Sequence, residues 1–367
     1  MLEPKRIMIM AGGTGGHIFP ALALAQHLEK QNMQVEWLGA HGLETSIVPK
    51  NGYVLHSLSM RAIRGKGLKT KFLAPFILFK AVLEALRILK KYKADYVFGF
   101  GGFAAAPGGI AARILGIPLI IHEQNAVAGL TNRLLARLST HVFSAFECSL
   151  PKVKVIGNPV RAQFWELPPP KIRILEREQL ANSKLRPLNI LIMGGSQGAR
   201  KINQLIPAAL KQAGICANIW HQTGAGSANN LSLLDEAQIL WDEQAIAPLI
   251  LQSLTVSAFI DDVVSAYGWA DVVICRAGAS TISELAASGV ASILIPYPFA
   301  VDDHQSANAR YLSDKNAAIL CPQTHLTSEK LAQILATLSS DKCLEMAQQA
   351  RLLAKNKAIE ALSAVIA

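Results

Sequence analysis

Ile7-Met8-Ile9-Met10-Ala11-Gly12-Gly13-Thr14-Gly15-Gly16 is an apolar run cut off by glycines, and Asn189-Ile190-Leu191-Ile192-Met193-Gly194-Gly195-Ser196-Gln197-Gly198 repeats it. Each reads as a buried strand entering a tight Gly-Gly-Thr/Ser turn and then a helix. After the first, Pro20–Lys30 carries Leu22, Leu24, Ala25 and Leu28 and predicts a helix; Val35–Leu38, Tyr96–Phe100 and Leu119–His122 are further short strands. Strands alternating with helices imply a parallel sheet with crossover connections. A second strand-glycine start implies a second such sheet, which one continuous large sheet would not need. The expected class is α/β, with two Rossmann-like domains, the second beginning near Gln163. Leu167–Pro187, rich in proline and charge, reads as a linker with an exposed helix. Ligands of open parallel sheets bind beyond the carboxyl ends of the strands, so two such sheets facing each other would line a cleft with Gly-rich loops.

The bulk composition agrees. A chain of 367 residues is long for one core, and 51% apolar against 17% charged residues is ample for two buried sheets. The net charge of +10 points to an anionic partner: nucleic acid, a membrane surface or a phosphorylated substrate. Five scattered cysteines with no C-x-x-C pair argue against a disulfide framework or a structural zinc, and fit a reducing compartment. The start of the chain reads as having no signal peptide. The closest approach to a membrane span, Ala104–Ile121, is broken by Arg113, prolines and glycines.

Several clusters carry candidate chemistry. Gly12-Gly13-Thr14-Gly15-Gly16-His17 would let a backbone approach an anion such as a diphosphate at a helix start. It could also be a simple strand-to-helix turn. It is not the dinucleotide fingerprint, because Ile18 stands at the third glycine position and Val35–Leu38 ends without an acid, which argues against a nicotinamide enzyme. His17 is either a proton acceptor on this turn or a residue that caps and packs it. Phe98-Gly99-Phe100-Gly101-Gly102-Phe103 is a second glycine-rich strand end. His122-Glu123-Gln124-Asn125 closes a strand with four polar side chains, facing a ligand or forming a buried network. Arg276-Ala277-Gly278-Ala279-Ser280-Thr281-Ile282-Ser283-Glu284 follows the strand Val272–Cys275; a diphosphate would sit on the helix start with Glu284 on ribose hydroxyls, unless Glu284 closes a capping box with Ser280 or Thr281. Asp302-Asp303-His304-Gln305 has paired acids but no helical His pair or D-x-D, so no bound metal is expected.

Gly12–His17, His122–Asn125 and Arg276–Glu284, taken together with Gly157-Asn158-Pro159-Val160-Arg161 and Gly194–Arg200, closely resemble the MurG family of N-acetylglucosaminyltransferases, in order and over nearly the whole chain. The resemblance implies the GT-B glycosyltransferase fold. It divides the chain into an acceptor- and membrane-binding domain, residues 1–162 joined by a C-terminal helix 351–367, and a donor-binding domain, residues 163–350. It implies inverting transfer of N-acetylglucosamine from UDP-GlcNAc to the C4 hydroxyl of lipid I (undecaprenyl-diphospho-muramoylpentapeptide), giving lipid II, with no metal and no cofactor. Matching donor positions are Thr14, Gly15, Gly16, Asn125, Arg161, Ser196, Ile260, Ala279, Ser280, Thr281, Ile282, Ser283, Glu284 and Gln305; His17, Asn125 and Glu284 are the catalytic candidates. Ile260 would offer backbone to uracil, Glu284 would hold ribose and Gln305 the sugar hydroxyls. His304 stands where some relatives carry Gln. The implied partners are UDP-GlcNAc, lipid I, an anionic membrane surface and other cell-wall and division proteins; the implied place is the cytoplasmic face of the bacterial inner membrane, held peripherally.

Rival readings are a lipid galactosyltransferase or a UDP-GlcNAc epimerase of the same fold, and a non-catalytic two-lobed binding protein. Nucleic-acid binding has the charge in its favour but no zinc module or RNP-type motif. Between Arg61 and Lys93 ten basic residues stand against one acid, Glu84, among many apolar side chains. The segment reads as a surface that dips into an anionic bilayer, with Pro75 starting its helix and Phe72 and Leu73 on the preceding loop; an ordinary amphipathic helix is the alternative.

Overall fold

Ile7, Met8, Ile9 and Met10 have no exposed surface at all. They form the middle of β1 (Arg6–Ala11), whose two faces feed two apolar clusters: Met8 and Met10 on one side, Ile7, Ile9 and Ala11 on the other. A strand buried on both faces needs an unbroken apolar run, which is what the sequence supplies. Each such side chain contributes about 1.5–3 kcal/mol on burial.

The computed structural model describes residues 3–366 apart from 61–67, 182–185, 196–197 and 229–230, with only the backbone described for 68–74 and 228. The chain divides into two compact units, Met1–Arg161 with Lys355–Ala367, and Ala162–Ala354. In the first, β1 is joined by β2 (Gln34–Gly39), β3 (Leu55–Ser57), β4 (Tyr96–Gly101), β5 (Leu119–Glu123), β6 (His141–Ser144) and β7 (Val153–Val155), in the order β3-β2-β1-β4-β5-β6-β7. Neighbouring strands pair in parallel. The helices α1 (Gly15–Lys30), α2 (Glu44–Lys50), α3 (Leu68–Tyr92), α4 (Ala105–Ile114) and α5 (Leu130–Leu135) connect them. The C-terminal helix Ala358–Ser363 packs on α1, with Leu362 fully buried in the cluster of Ile7 and Ile9.

In the second unit, β8 (Leu188–Met193), β9 (Ala217–Gln222), β12 (Leu251–Ser257), β13 (Val272–Cys275), β14 (Ala291–Leu294) and β15 (Ala318–Leu320) form a parallel sheet ordered β12-β9-β8-β13-β14-β15. A small antiparallel pair, β10 (Ser227–Ala228) with β11 (Leu231–Ser232), stands apart from it.

Both sheets reverse direction of growth next to their first strand, between β1 and β4 and between β8 and β13. The loops leaving those strands diverge, and a crevice opens at the carboxyl end. Every glycine-rich motif read from the sequence leaves a sheet at one of these two points.

Three expectations about elements need correction. The first helix begins at Gly15, not Pro20, which lies inside it; a proline forfeits one intrahelical hydrogen bond, and the buried residues Ile18, Ala21, Leu22 and Ala25 outweigh that loss. α3 likewise begins at Leu68 with Pro75 inside, so Phe72 and Leu73 are helical rather than on a preceding loop. The helix Pro170–Leu180 in the expected linker is docked rather than exposed throughout: Arg173 is buried and donates to the carbonyl oxygens of Ser288 and Gly289, and Arg177 joins Arg186 on the buried carboxylate of Asp271.

Candidate active site

In the first unit the crevice is built around one peptide group. Thr14 is the N-cap of α1 and His17 sits in its first turn, half-buried. His17 Nδ1 lies 3.0 Å from the carbonyl oxygen of Gly12 and 3.3 Å from Thr14 Oγ1. A carbonyl can only accept, so Nδ1 is the donor in this bond, and a neutral ring held this way keeps its lone pair on Nε2. The ring passes over Gly101 at the end of β4, where φ is +102° and a Cβ would stand 3.1 Å from Nε2. Beside it Gly102 has φ +89°, and a Cβ there would come within 2.5 Å of the Gly12 carbonyl oxygen. The two glycine-rich loops are thus in backbone contact, and only glycine allows it.

The motif at the end of β5 splits. His122, Glu123 and Gln124 form a buried network, the alternative weighed for them above. His122 donates through Nε2 to the Gly157 carbonyl, 2.8 Å away, and accepts from Gln124 at 3.1 Å. Burial pushes its pKa down to about 4, so the ring is neutral. Glu123 accepts from the amides of Asn125 and Gly129 and from the side chains of Asn125 and Asn132. Asn125, half-buried, is the member of the motif held toward the open side. Gly157, at φ +91°, would drive a Cβ to 2.6 Å from Lys355 Cβ, so the glycine in Gly157–Arg161 admits the returning C-terminal segment. Arg161 is exposed.

In the second unit the loop after β8 is held by Gln222. Its Oε1 accepts from the Gly195 amide at 3.1 Å, and its Nε2 donates to the carbonyl oxygens of Gly195 and Ala258, each at 3.0 Å. Ser196, an expected donor contact, lies outside the described residues. Ile260 is buried, so its side chain is committed to packing. After β13, Gly278 is the N-cap of the helix Ala279–Ser288, with no side-chain cap. The capping-box alternative for Glu284 therefore fails: Glu284 is the sixth helical residue, beyond reach of the cap. The first intrahelical bond there is Ile282 N–H to the Gly278 carbonyl, so the amides of Ser280 and Thr281 have no intrahelical acceptor. Ser280 Oγ is buried without a partner among the described residues, while Ser283 Oγ donates back to the Ala279 carbonyl. Ala279 and Ile282 are buried; Thr281 and Glu284 are half-buried.

The loop after β14 completes this rim. Gln305 Oε1 accepts from the Tyr297 amide at 2.9 Å, and Arg276 donates to the carbonyls of Ile295 and Pro296 while lying over the Tyr297 ring. Asp302 and Asp303 both take left-handed φ, +53° and +49°, which re-aims the chain, and the His304 ring bonds back to the Val301 carbonyl. Among the described residues no group of three or more His, Cys, Asp or Glu could hold a metal ion.

Residues 7–144 match the glycosyltransferase family 28 N-terminal domain, and residues 189–362 match its C-terminal domain. The UDP-N-acetylglucosamine--N-acetylmuramyl-(pentapeptide) pyrophosphoryl-undecaprenol N-acetylglucosamine transferase of Cellvibrio japonicus is 47% identical over 363 residues, covering 96% of this chain and 95% of that protein. The protein of the same name from Histophilus somni is 43% identical over 352 residues, 96% and 94%. The crystal structure of Acinetobacter baumannii MurG superposes with a TM-score of 0.84 at 40% identity and 99% coverage of both chains. The chain belongs to the MurG branch of glycosyltransferase family 28. As a MurG-family chain it has the GT-B fold, two parallel-sheet α/β domains. A UDP-GlcNAc 2-epimerase from Neisseria meningitidis shares that fold at 13% identity and TM-score 0.63, which is a likeness of fold alone.

Two residues that hold the candidate site's loops were not singled out from the sequence. Glu44, only 1% exposed, accepts from the Gly13 amide at 2.9 Å and the Ala40 amide at 3.0 Å. Gln222 does the corresponding work in the second unit. Neither lies in a glycine motif; the one available signal was Gly39-Ala40-His41-Gly42 after β2, small residues ahead of a lone acid.

Proposed function

We propose that this glycosyltransferase moves N-acetylglucosamine from UDP-GlcNAc to the C4 hydroxyl of the muramoyl sugar of lipid I. The new bond joins that oxygen to the anomeric carbon; the bond from the anomeric carbon to the diphosphate breaks, and UDP leaves with its electron pair. Attack opposite the leaving group inverts the centre to β1→4. Identity above 40% to transferases of that name, over nearly the whole of each chain, supports the substrates. The observation that carries the mechanism is the 3.0 Å contact of His17 Nδ1 with the Gly12 carbonyl: a neutral ring donating there keeps Nε2, beside Gly101, as an acceptor.

The second unit binds the donor in this reading. Amides of Ser280 and Thr281 take charge gained by the leaving diphosphate, a task fixed N–H dipoles perform without a cation. Glu284 holds the ribose hydroxyls, the Ile260 backbone meets uracil, and the Gln305 amide nitrogen, its oxygen already taken by Tyr297, donates to the sugar. Thr14, Gly15, Gly16, Asn125 and Arg161 serve from the first unit, with Asn125 braced by Glu123.

An undecaprenyl acceptor requires a membrane surface. Among the described residues no helix is long and apolar enough to cross one. α3 supplies the docking face in this reading: Phe76 is 75% and Phe79 64% exposed, beside Lys80, Arg87 and Lys90, while Ala81, Ala85 and Leu89 on the opposite side are buried. The enzyme then works peripherally on the cytoplasmic face of the inner membrane.

The deciding experiment measures UDP release from UDP-GlcNAc with and without a lipid I analogue. Release that depends on the acceptor, with a β1→4 disaccharide formed, is expected. A new sugar nucleotide or free sugar made from UDP-GlcNAc alone would overturn the assignment in favour of an epimerase.

A further inference from the structure

The two bonds to the Gly12–Gly13 peptide meet on one planar group. Its carbonyl, from Gly12, accepts His17 Nδ1–H at 3.0 Å; its N–H, from Gly13, donates to Glu44 Oε2 at 2.9 Å. The carboxylate sits in a space made by missing side chains: a Cβ on Gly12 would stand 2.7 Å from Glu44 Oε1, one on Gly42 2.5 Å from Oε2, and one on Gly39 2.9 Å from Cγ. Its other oxygen is fixed by the Ala40 amide at the end of β2, and the side chain is 1% exposed. We propose that Glu44 is a positioning residue for the proton acceptor, acting on His17 through the intervening peptide rather than by direct contact.

The physics is that of a hydrogen-bond chain. An amide that donates to an anion places more negative charge on its own carbonyl oxygen, because the peptide is conjugated, and that oxygen then accepts more strongly. His17 Nδ1–H is held in place, the tautomer is fixed, and the positive charge that arrives with the acceptor's proton at Nε2 is stabilised through Nδ1. No proton crosses the peptide: the substrate's proton stops on Nε2 and leaves from there to solvent. Glu44 exchanges no proton in this scheme and never touches substrate. The left-handed φ of Gly13, +85°, turns this peptide so that its two ends serve the two side chains at once.

This inference rests on the proposed role of His17, and its test separates the two. Glu44→Gln keeps the size and one acceptor but removes the charge. Exchanging a charged acceptor for a neutral one should lower kcat about tenfold, with the KM for UDP-GlcNAc unchanged. Added to His17→Ala, it should cost nothing further, since its effect passes through the imidazole. An equal cost in both backgrounds, with His17→Ala itself severely impaired, would leave Glu44 as loop support and end the relay while sparing His17. Wild-type kcat in His17→Ala would instead remove the base assignment, and the relay with it. Nitrogen-15 NMR of histidine-labelled wild-type protein needs no variant to fold: His17 should show the Nδ1–H tautomer, and an Nε2–H tautomer would overturn the relay by itself.

Discussion

Glu284 is a single carboxylate on whose role the donor half of the mechanism turns. It stands one turn and a half into the helix that opens at Gly278, half-buried and clear of the cap. A hydrogen bond to a charged group is worth about 1.5–3 kcal/mol, so Glu284→Gln should lower transfer efficiency roughly 10- to 100-fold. The loss should appear in the dependence on UDP-GlcNAc, not on acceptor; unchanged donor kinetics in a folded variant would end the ribose assignment. Two other single residues set the response to acid. Burial depresses the pKa of His122 to about 4 and of His221 to about 3, below the ordinary 6.5 they regain on unfolding. Between those values the unfolded chain binds the extra proton, so the contribution of these two residues to stability is fully present above about pH 6.5 and is lost as pH drops toward 4 and then 3. For His122 the full loss is on the order of 3 kcal/mol. The urea midpoint should therefore fall between pH 7 and pH 5, and fall less in His122→Gln. An identical fall in that variant would place the acid sensitivity elsewhere.

At the scale of elements, α3 has two apolar stripes where one would suffice for packing. Ala81, Ala85 and Leu89 meet the sheet, while Phe76 and Phe79 face outward with Lys80, Arg87 and Lys90 around them. Each basic residue near an anionic surface contributes about 1 kcal/mol. Changing Lys69, Lys71 and Lys80 to Glu should sharply reduce sedimentation with acidic-lipid vesicles and leave UDP-GlcNAc binding intact. Equal sedimentation of the folded triple variant at low and high salt would make α3 an ordinary solvated helix. The doubled composition of α3 was visible in the sequence; its start was not, because Pro75 reads as a first-turn residue when nothing shows that the turn before it is already helical. The strand-glycine-helix units were legible because a tight turn at a sheet edge leaves glycine little competition. Glu44 and Gln222 were not, since Glu44 acts from the start of α2 and Gln222 from the end of β9, and only the sheet order brings each beside the loop it holds.

For the whole molecule, the proposed chemistry places the burden of the leaving diphosphate on backbone amides, so transfer should persist in excess EDTA. Abolition by the chelator and rescue by one divalent ion would refute it. The chain also passes between its two units twice, near Arg161 and again near Ala354, so that Ala162–Ala354 is in effect inserted into the other unit. Leu362, wholly buried in one cluster with Ile18 and Leu28, belongs to a core whose other buried members lie within the first 161 residues, with Ile359, Val365 and Ile366 packed against it. On the ribosome that core waits for its last piece while a stretch on the order of 200 residues is made, roughly 10–40 s at about 5–20 residues per second. The first unit to be born is thus the last to close, and the interval exposes apolar surface that a chaperone, or an early-docking membrane, would be the first to meet.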